Sequence, residues 1–222
     1  LRPLTNDCPK PLLKVGNKPI LETILQNFIK SGFYQFYFAV NYRSEMIENY
    51  FGDGSNFGVS IEYIRETKPL GTAGALYLLP ATIEMPIVVM NGDLLTNIDF
   101  GEFMDFHVEN HSAATMAVRE FSYKIPYGVI TYDDGRITKI TEKPSQSFFV
   151  NAGIYALSPK SVKYIKNEDY FDMPDLFNVL IANDEKTVVY PIQEYWMDIG
   201  HIDDFQKAQS EYYTYFSDLS EK

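Results

Sequence analysis

The run Ile87-Val-Val-Met-Asn-Gly-Asp93 limits what this chain can become more than any other stretch. Apolar, mostly β-branched residues behind Pro86 read as a strand buried on both faces, as in a helix-covered sheet. The run breaks at Asn91-Gly92, where a glycine permits a tight turn, and Asp93 is delivered at the strand's carboxyl end. In open α/β sheets ligands bind at that end. A carboxylate on a short, stiff turn suits a divalent cation. It equally suits an ordinary cap of the next element, and the stretch alone leaves both readings open.

The flanking sequence supplies the partners such a strand needs. Leu1 to Lys18 is polar, rich in Pro and Lys, and aperiodic, so it reads as a loop. Ile20, Leu21, Ile24, Leu25, Phe28 and Ile29 share one face at helical spacing, and Ser31-Gly32 closes that helix. Strands are expected at 35–40 and 60–65, with a short helix from a Ser44 cap to Gly52 between them and another helix at 72–79. Alternating strand and helix is the signature of parallel β-α-β units, whose crossovers are right-handed. A doubly wound, mostly parallel, Rossmann-like α/β sheet is therefore expected. Asp99 with Glu102 resembles a capping box for a helix around 103–109.

Beyond residue 110 the pattern changes. Strands are expected at 113–119, 127–132, 136–141 and 148–156, with Asp133-Asp-Gly135 as a hairpin turn. A helix near 174–183, a strand at 187–190 and an amphipathic helix from about 203 to 216 follow. No repeat, linker or low-complexity tract interrupts the chain, and 222 residues suit one large domain.

Charge narrows the function classes. With 30 acidic against 19 basic residues the formal net charge is −11, which repels nucleic-acid backbones. The single cysteine, Cys8, allows no internal disulfide and favours a reducing compartment, so a cytoplasmic location is expected. The apolar runs 36–40 and 87–90 are far too short to span a bilayer.

Any phosphate bound by so acidic a chain must meet a local cation or backbone N–H groups. Arg2 to Lys14 concentrates positive charge, and Pro9 and Pro11 hold Lys10 in a pre-set backbone suited to aiming its ammonium. A solvated basic loop is the plainer alternative. Leu70-Gly-Thr-Ala-Gly-Ala75 is a small-residue loop opening a helix, able to approach a base or phosphate closely or to serve as a plain turn. Glu142, Lys143 and Asn151 are polar breaks at strand ends that can bond a sugar or its phosphate, or simply decorate an edge. Asp198 is a second carboxylate on a short apolar strand, where a cap is the common explanation.

Taken in order, RPLT, PKPLL, KPIL, LGTAGAL, NGD, TEKP, NAGIY and WMDIG resemble the sugar-1-phosphate nucleotidyltransferase family, also called nucleotide-sugar pyrophosphorylases. The likeness covers nearly the whole chain and is greatest to the mannose-1-phosphate guanylyltransferase-like branch. It implies a nucleotide-binding half at about 1–110 and a sugar-binding half, containing the hairpin, at about 111–222. It implies that Lys10 binds phosphates at the reaction centre and that Gly71 and Thr72 contact the base, with Asn91 and Gly92 also on the nucleotide side. Asp93 and Asp198 are then the Mg²⁺ ligands, Glu142, Asn151 and Gly153 contact the sugar, and Lys143 contacts its phosphate. The substrates implied are an NTP, with GTP favoured, and a sugar 1-phosphate. The rival reading is a non-catalytic nucleotide-sugar-binding regulatory domain.

The resemblance also allows for a homo-oligomer and for regulatory modules upstream in the natural chain. The family's glycine-rich loop ending in Gly-Thr-Arg falls before Leu1, and Arg2 is not its arginine. A strand preceding that loop is expected to lie between the strands ending near Asn41 and Asn91. Residues 1–222 on their own are therefore expected to fold poorly and to be inactive.

Overall fold

The computed structural model describes residues 1–167 and 169–216. In chain order its elements are β1 (Lys14–Val15), β2 (Lys18–Pro19), α1 (Ile20–Lys30), β3 (Gln35–Val40), α2 (Ser44–Phe51), β4 (Ser60–Arg65) and α3 (Gly71–Gly74). Then come β5 (Ile87–Met90), β6 (Leu94–Thr96), α4 (Phe100–Glu109), β7 (Ala114–Lys124), β8 (Val129–Asp133), β9 (Arg136–Thr141) and β10 (Ser145–Leu157). The chain closes with α5 (Pro159–Val162), α6 (Met173–Ala182), β11 (Thr187–Pro191), β12 (Trp196–Asp198) and α7 (Ile202–Tyr215). No described helix is long and apolar enough to cross a membrane.

The sheet is mixed. β3 and β4 pair in parallel, as their helical crossover requires, and β11 joins β7 in parallel. β10 lies antiparallel between β7 and β5 because it returns from a β-excursion and not from a helix. The resulting order is β11-β7-β10-β5, and among the described residues no ladder joins β3 to β5.

Helices bury the stripes their periodicity marks. Leu25 of α1 meets Val40, Ile47, Phe51 and Ile61 in one cluster. The opposite flank of α1 stacks Phe28 on Phe100, ring centroids 3.7 Å apart and 9° from parallel, in a core that takes in Leu94, Leu95, Ile154 and Tyr212. A third cluster puts Leu157 and Tyr155 of β10 against Met173, Leu176 and Leu180 of α6. Burying an aliphatic or aromatic side chain contributes about 1.5–3 kcal/mol. These faces therefore fix the relative placement of α1, α4, α6 and the sheet.

Several boundaries differ from the sequence reading. The helix expected at 72–79 is a four-residue α-turn followed by a 3₁₀ turn at Ala75–Leu78, since glycines at 71 and 74 weaken it. Arg43, in the left-handed region at φ 52°, precedes α2, and Ser44 is its first helical residue. β6, β1 and β2 were not marked, being too short to show a period. β7 and β10 run well past 119 and start before 148, because their outer halves are exposed and carry no buried alternation. Asp99 caps α4 as its spacing implies, accepting from Gly101 N at 2.8 Å and Glu102 N at 3.1 Å.

One buried polar group ties α4 to the sheet. His107 is 1% exposed, its ring nitrogens bonded to Thr115 Oγ1 at 2.7 Å and Ser158 Oγ at 3.1 Å. Burial pushes the His107 imidazole below the usual histidine range. The fold therefore holds it neutral, while the unfolded chain takes up a proton near pH 6.5. Stability should fall as pH drops through about 6.5 and stop falling once the folded-state value is passed. Urea midpoints at pH 7.5 and 5.5 test this. His107→Gln, which keeps two polar ends, should lose part of the wild-type pH slope, and an identical slope in the variant refutes the assignment.

Candidate active site

The centre is built where β5 stops. After Met90 the chain turns through Asn91-Gly92 and enters β6 at Leu94, so Asp93 sits at the corner. β12 pairs antiparallel with β6, setting Asp198 opposite Leu94, and Ile199 N donates to Asp93 O at 3.1 Å. The two carboxylates are thus neighbours across one short ladder. Asp198 is pushed above the usual carboxylate range, first by partial removal from water and then by the Asp93 charge, with Lys10 pulling the other way.

Lys10 closes the triangle. Its ammonium lies 2.6 Å from Asp93 Oδ2, and both side chains are partly exposed, at 27% and 32%. Lys10 opens a single 3₁₀ turn, Lys10–Leu12, set by the extended Pro9 and by Pro11 within it. Pro11 Cγ lies 3.8 Å from where a Cβ on Gly92 would stand, so this turn rests on the Asn91-Gly92-Asp93 corner.

Sequence reasoning did not foresee how the opening loop is held. Arg43 donates from Nη2 to Asn6 O at 3.1 Å, from Nη1 to Asp7 O at 3.2 Å and from Nε to Tyr42 Oη at 2.9 Å. Tyr42 Oη donates to Asn6 O at 3.2 Å. The end of β3 thereby clasps the loop that carries Lys10. Only the position of Asn41-Tyr-Arg43 after a strand hinted at it.

β10 supplies a second wall. Its pairing with β7 shifts register between Asn151 and Tyr155, and Gly153 adopts φ 71° at the bulge. A Cβ there would come within 2.8 Å of Asn91 Nδ2 and 2.9 Å of Leu94 Cδ1, so the position is held to glycine by space and by backbone. Gly153 O accepts from Asn91 N at 3.0 Å. Asn151 Oδ1 accepts from Gly153 N at 2.9 Å while its Nδ2 donates to Tyr155 Oη at 2.7 Å, which fixes the amide's orientation. Trp196 Nε1 donates to Ala152 O at 2.8 Å and fastens β12 to the same bulge. Lys10, Asn91, Gly92, Asp93, Asn151, Gly153 and Asp198 therefore form one locale.

The Gly71–Thr72 loop is tied to the start of α6. Thr72 donates to Asp172 Oδ1 from N at 2.9 Å and from Oγ1 at 3.1 Å, and Met173 N donates to Thr72 Oγ1 at 2.8 Å. Ala73 N and Gly74 N both donate to Phe171 O at 2.9 Å. These N–H groups, expected to be free, are thus satisfied within the protein. Gly71 has φ 78°, and a Cβ on it would meet Phe171 O at 2.7 Å. Asp172, held below the usual range chiefly by the Thr72 N–H, was missed, although Asp-Met-Pro ahead of an apolar run is a helix-start signal. The Tyr155 phenol is raised chiefly by burial, with the Asp172 charge adding to it, which sets this loop beside the Asn151 wall.

Glu142 and Lys143 stand apart. Both are exposed at the foot of the β8–β9 hairpin, where Lys143 N donates to Tyr127 O at 3.3 Å and Lys143 has φ 45°. Glu142 Oε2 lies 2.9 Å from where a Cβ on Gly128 would be. Among the described residues no hydrogen bond or ion pair links either to the Lys10–Asp93 pair.

The donor set fits a loosely held hard cation. Among the described residues no group of three or more His, Cys, Asp or Glu side chains gathers to enclose a metal. Two carboxylates are what Mg²⁺ takes from a protein when substrate phosphates and water complete its shell. The site suits a metal that arrives with a phosphorylated ligand.

Comparison with known proteins agrees with this geometry. A family model described as nucleotidyl transferase matches residues 1–214. A mannose-1-phosphate guanyltransferase of Yarrowia lipolytica is 35% identical over 230 residues, covering 100% of this chain and 62% of that protein. A mannose-1-phosphate guanylyltransferase catalytic subunit beta of Danio rerio is 34% identical over 213 residues, covering 92% of this chain and 59% of its own length. The chain thus spans about three fifths of the curated relatives it matches. Among solved structures, a putative glucose-1-phosphate thymidylyltransferase of Bacillus anthracis superposes with TM-score 0.77 at 24% identity, covering 95% of this chain and 89% of that one. HddC of Yersinia pseudotuberculosis complexed with GMP-PN gives 0.73 at 24%, covering 96% and 93%. The structural likenesses speak for the fold, and the family match runs through every element described above. This chain belongs to the nucleotidyl transferase family.

Proposed function

We propose that the chain carries the catalytic site of an enzyme that joins a sugar 1-phosphate to an NTP, with GTP as the favoured donor, releasing pyrophosphate and a nucleotide-sugar. The observation that carries the proposal is the meeting of Lys10, Asp93 and Asp198 at the carboxyl end of β5. The names of the relatives point the same way and make mannose 1-phosphate the first sugar to try.

The reaction sets two anions against each other. A sugar-phosphate oxygen attacks the α-phosphorus in line, the new P–O bond forms, and the bond to the leaving pyrophosphate breaks. Little covalent chemistry falls to the protein, which must position the reactants and offset charge. Lys10 brings one ammonium to that point, on a turn stiffened by two prolines and held by Arg43. Asp93 and Asp198 would hold Mg²⁺, which when bound neutralises phosphate charge and fixes phosphate geometry. Asn151, with its amide locked by Gly153 and Tyr155, is suited to reading a sugar hydroxyl at the bulge. Gly71 and Thr72 are assigned to the base, Asn91 and Gly92 to the nucleotide, and Glu142, Lys143 and Gly153 to the sugar phosphate. Substrates of this kind and a lone cysteine are consistent with work in the cytoplasm. A regulatory domain that only binds a nucleotide-sugar needs no paired carboxylates beside a lysine.

The deciding experiment is pyrophosphate release by the full natural polypeptide, with the four NTPs against a panel of sugar 1-phosphates. Turnover with GTP should exceed that with the other donors, and equal or faster turnover with UTP, CTP or dTTP discards the donor assignment. No release with any pair favours the regulatory reading. Asp93→Asn and Asp198→Asn should each abolish Mg²⁺-dependent turnover while leaving the circular dichroism spectrum unchanged, because an amide keeps the shape and loses the charge. Lys10→Ala should lower kcat about a hundredfold or more with a smaller change in KM. A normal kcat returns Lys10 to the status of a solvated loop residue.

A further inference from the structure

From Arg119 to Val150 the chain leaves the core and returns without a buried residue. β7 and β10 pair out to Lys124 opposite Ser145. Ile125 N then donates to Pro144 O at 2.9 Å and Lys143 N to Tyr127 O at 3.3 Å, and β8–β9 carries the ribbon to its Asp133-Asp134-Gly135 tip. The result is one two-stranded arm standing off the body. Alone in water such a ribbon is marginal and calls for something to pack against.

The hairpin's faces are sorted by a bulge. Ile130 lies opposite Ile140 and Tyr132 opposite Ile137. Directly opposed residues share a face, as do residues two apart on one strand. Ile137 and Ile140 are three apart, so a regular strand would send them to opposite faces. The register shifts between Thr131 and Tyr132, leaving Thr138 as the extra residue, with its Oγ1 donating to Thr131 O at 3.1 Å. That one residue returns Ile137 to the face of Ile140. Ile130, Tyr132, Ile137 and Ile140 are left 45%, 71%, 63% and 62% exposed.

We propose that this face is the docking surface for a second copy of the chain, arm lying on arm about a two-fold axis. Charge selects that occupant. Copies carrying a net −11 repel over most of their surface, but the hairpin balances Asp133 and Asp134 with Arg136 and Lys139. No single-sign field is present there to draw a strongly acidic or basic partner. The tip is acidic, while at the base Lys124 and Lys143 outnumber Glu142. Antiparallel arms then set each acidic tip beside its partner's basic base, the self-complementarity that a two-fold interface demands. Size is adequate as well. A standard interface takes about 800 Å² from each side. A fully exposed aromatic side chain offers on the order of 150–250 Å². Tyr132 and the three isoleucines supply roughly half of that requirement, and Phe121, Tyr123, Tyr127 and Phe148 on the same arm can supply the rest.

The proposal does not depend on activity. Sedimentation of the full natural polypeptide should show a reversible dimer. Tyr132→Asp with Ile137→Asp should weaken it on the order of thirtyfold or more while leaving thermal unfolding close to wild type, since neither residue touches the core. Hydrogen exchange on the wild type gives a second reading that needs no variant. Amides of 129–141 should gain protection as concentration rises through the dimer's Kd. A monomer at about 100 µM, a dimer indifferent to the double substitution, or arm protection independent of concentration would each overturn the proposal.

Discussion

Two carboxylates cannot stand side by side without a reason, and the β6–β12 ladder makes them do so. The pairing of Asp198 with Leu94 leaves Asp198 no distance from Asp93, and the repulsion is visible in the raised affinity of Asp198 for its proton. Lys10, 2.6 Å from Asp93, relieves part of it. Much of the surrounding architecture is arranged to keep this triad in register. Trp196 pins β12 to the β10 bulge, Gly153 admits Asn91 beneath it, and Arg43 holds the loop from which Lys10 reaches in. The triad stores an unfavourable contact that a cation with bound phosphates is suited to relieve.

The fold was legible where one face of an element is buried. α1, β3, β4, β5, α4, α6, β11 and α7 follow the periodicity of their apolar residues, because burial alone demands it. The turn at Asp134-Gly135, with φ 43° and 73°, follows from residues that tolerate that backbone. What escaped were elements defined by partners and not by pattern. β6 is three residues long, yet it delivers Asp93. The outer halves of β7 and β10 are held by cross-strand bonds and bury nothing.

The site shows the same division. Lys10, Asp93 and Asp198 were readable because the strand, the turn and the prolines each constrain the charge they carry. Asn151 was readable as a polar break, but the clamp on it was not, since Tyr155 looks in sequence like one more core aromatic. Asp172 is set against Thr72 from a hundred residues away, and no local pattern encodes such a pairing. Arg43 was noticed only for following a strand. Its grip is on the backbone carbonyls of Asn6 and Asp7, so the side chains of those residues are of little consequence to it.

Trp196 is the only tryptophan in the chain, and its indole donates to the carbonyl of Ala152, between Asn151 and Gly153 at the bulge. Two residues further along β12 stands Asp198. A half-buried indole with a defined hydrogen bond has an emission colour and intensity set by that bond and by nearby charge. The chain therefore contains its own optical probe, placed beside the carboxylate pair and free of background from any other indole. Events at the centre can be followed as light in the unlabelled, unaltered chain.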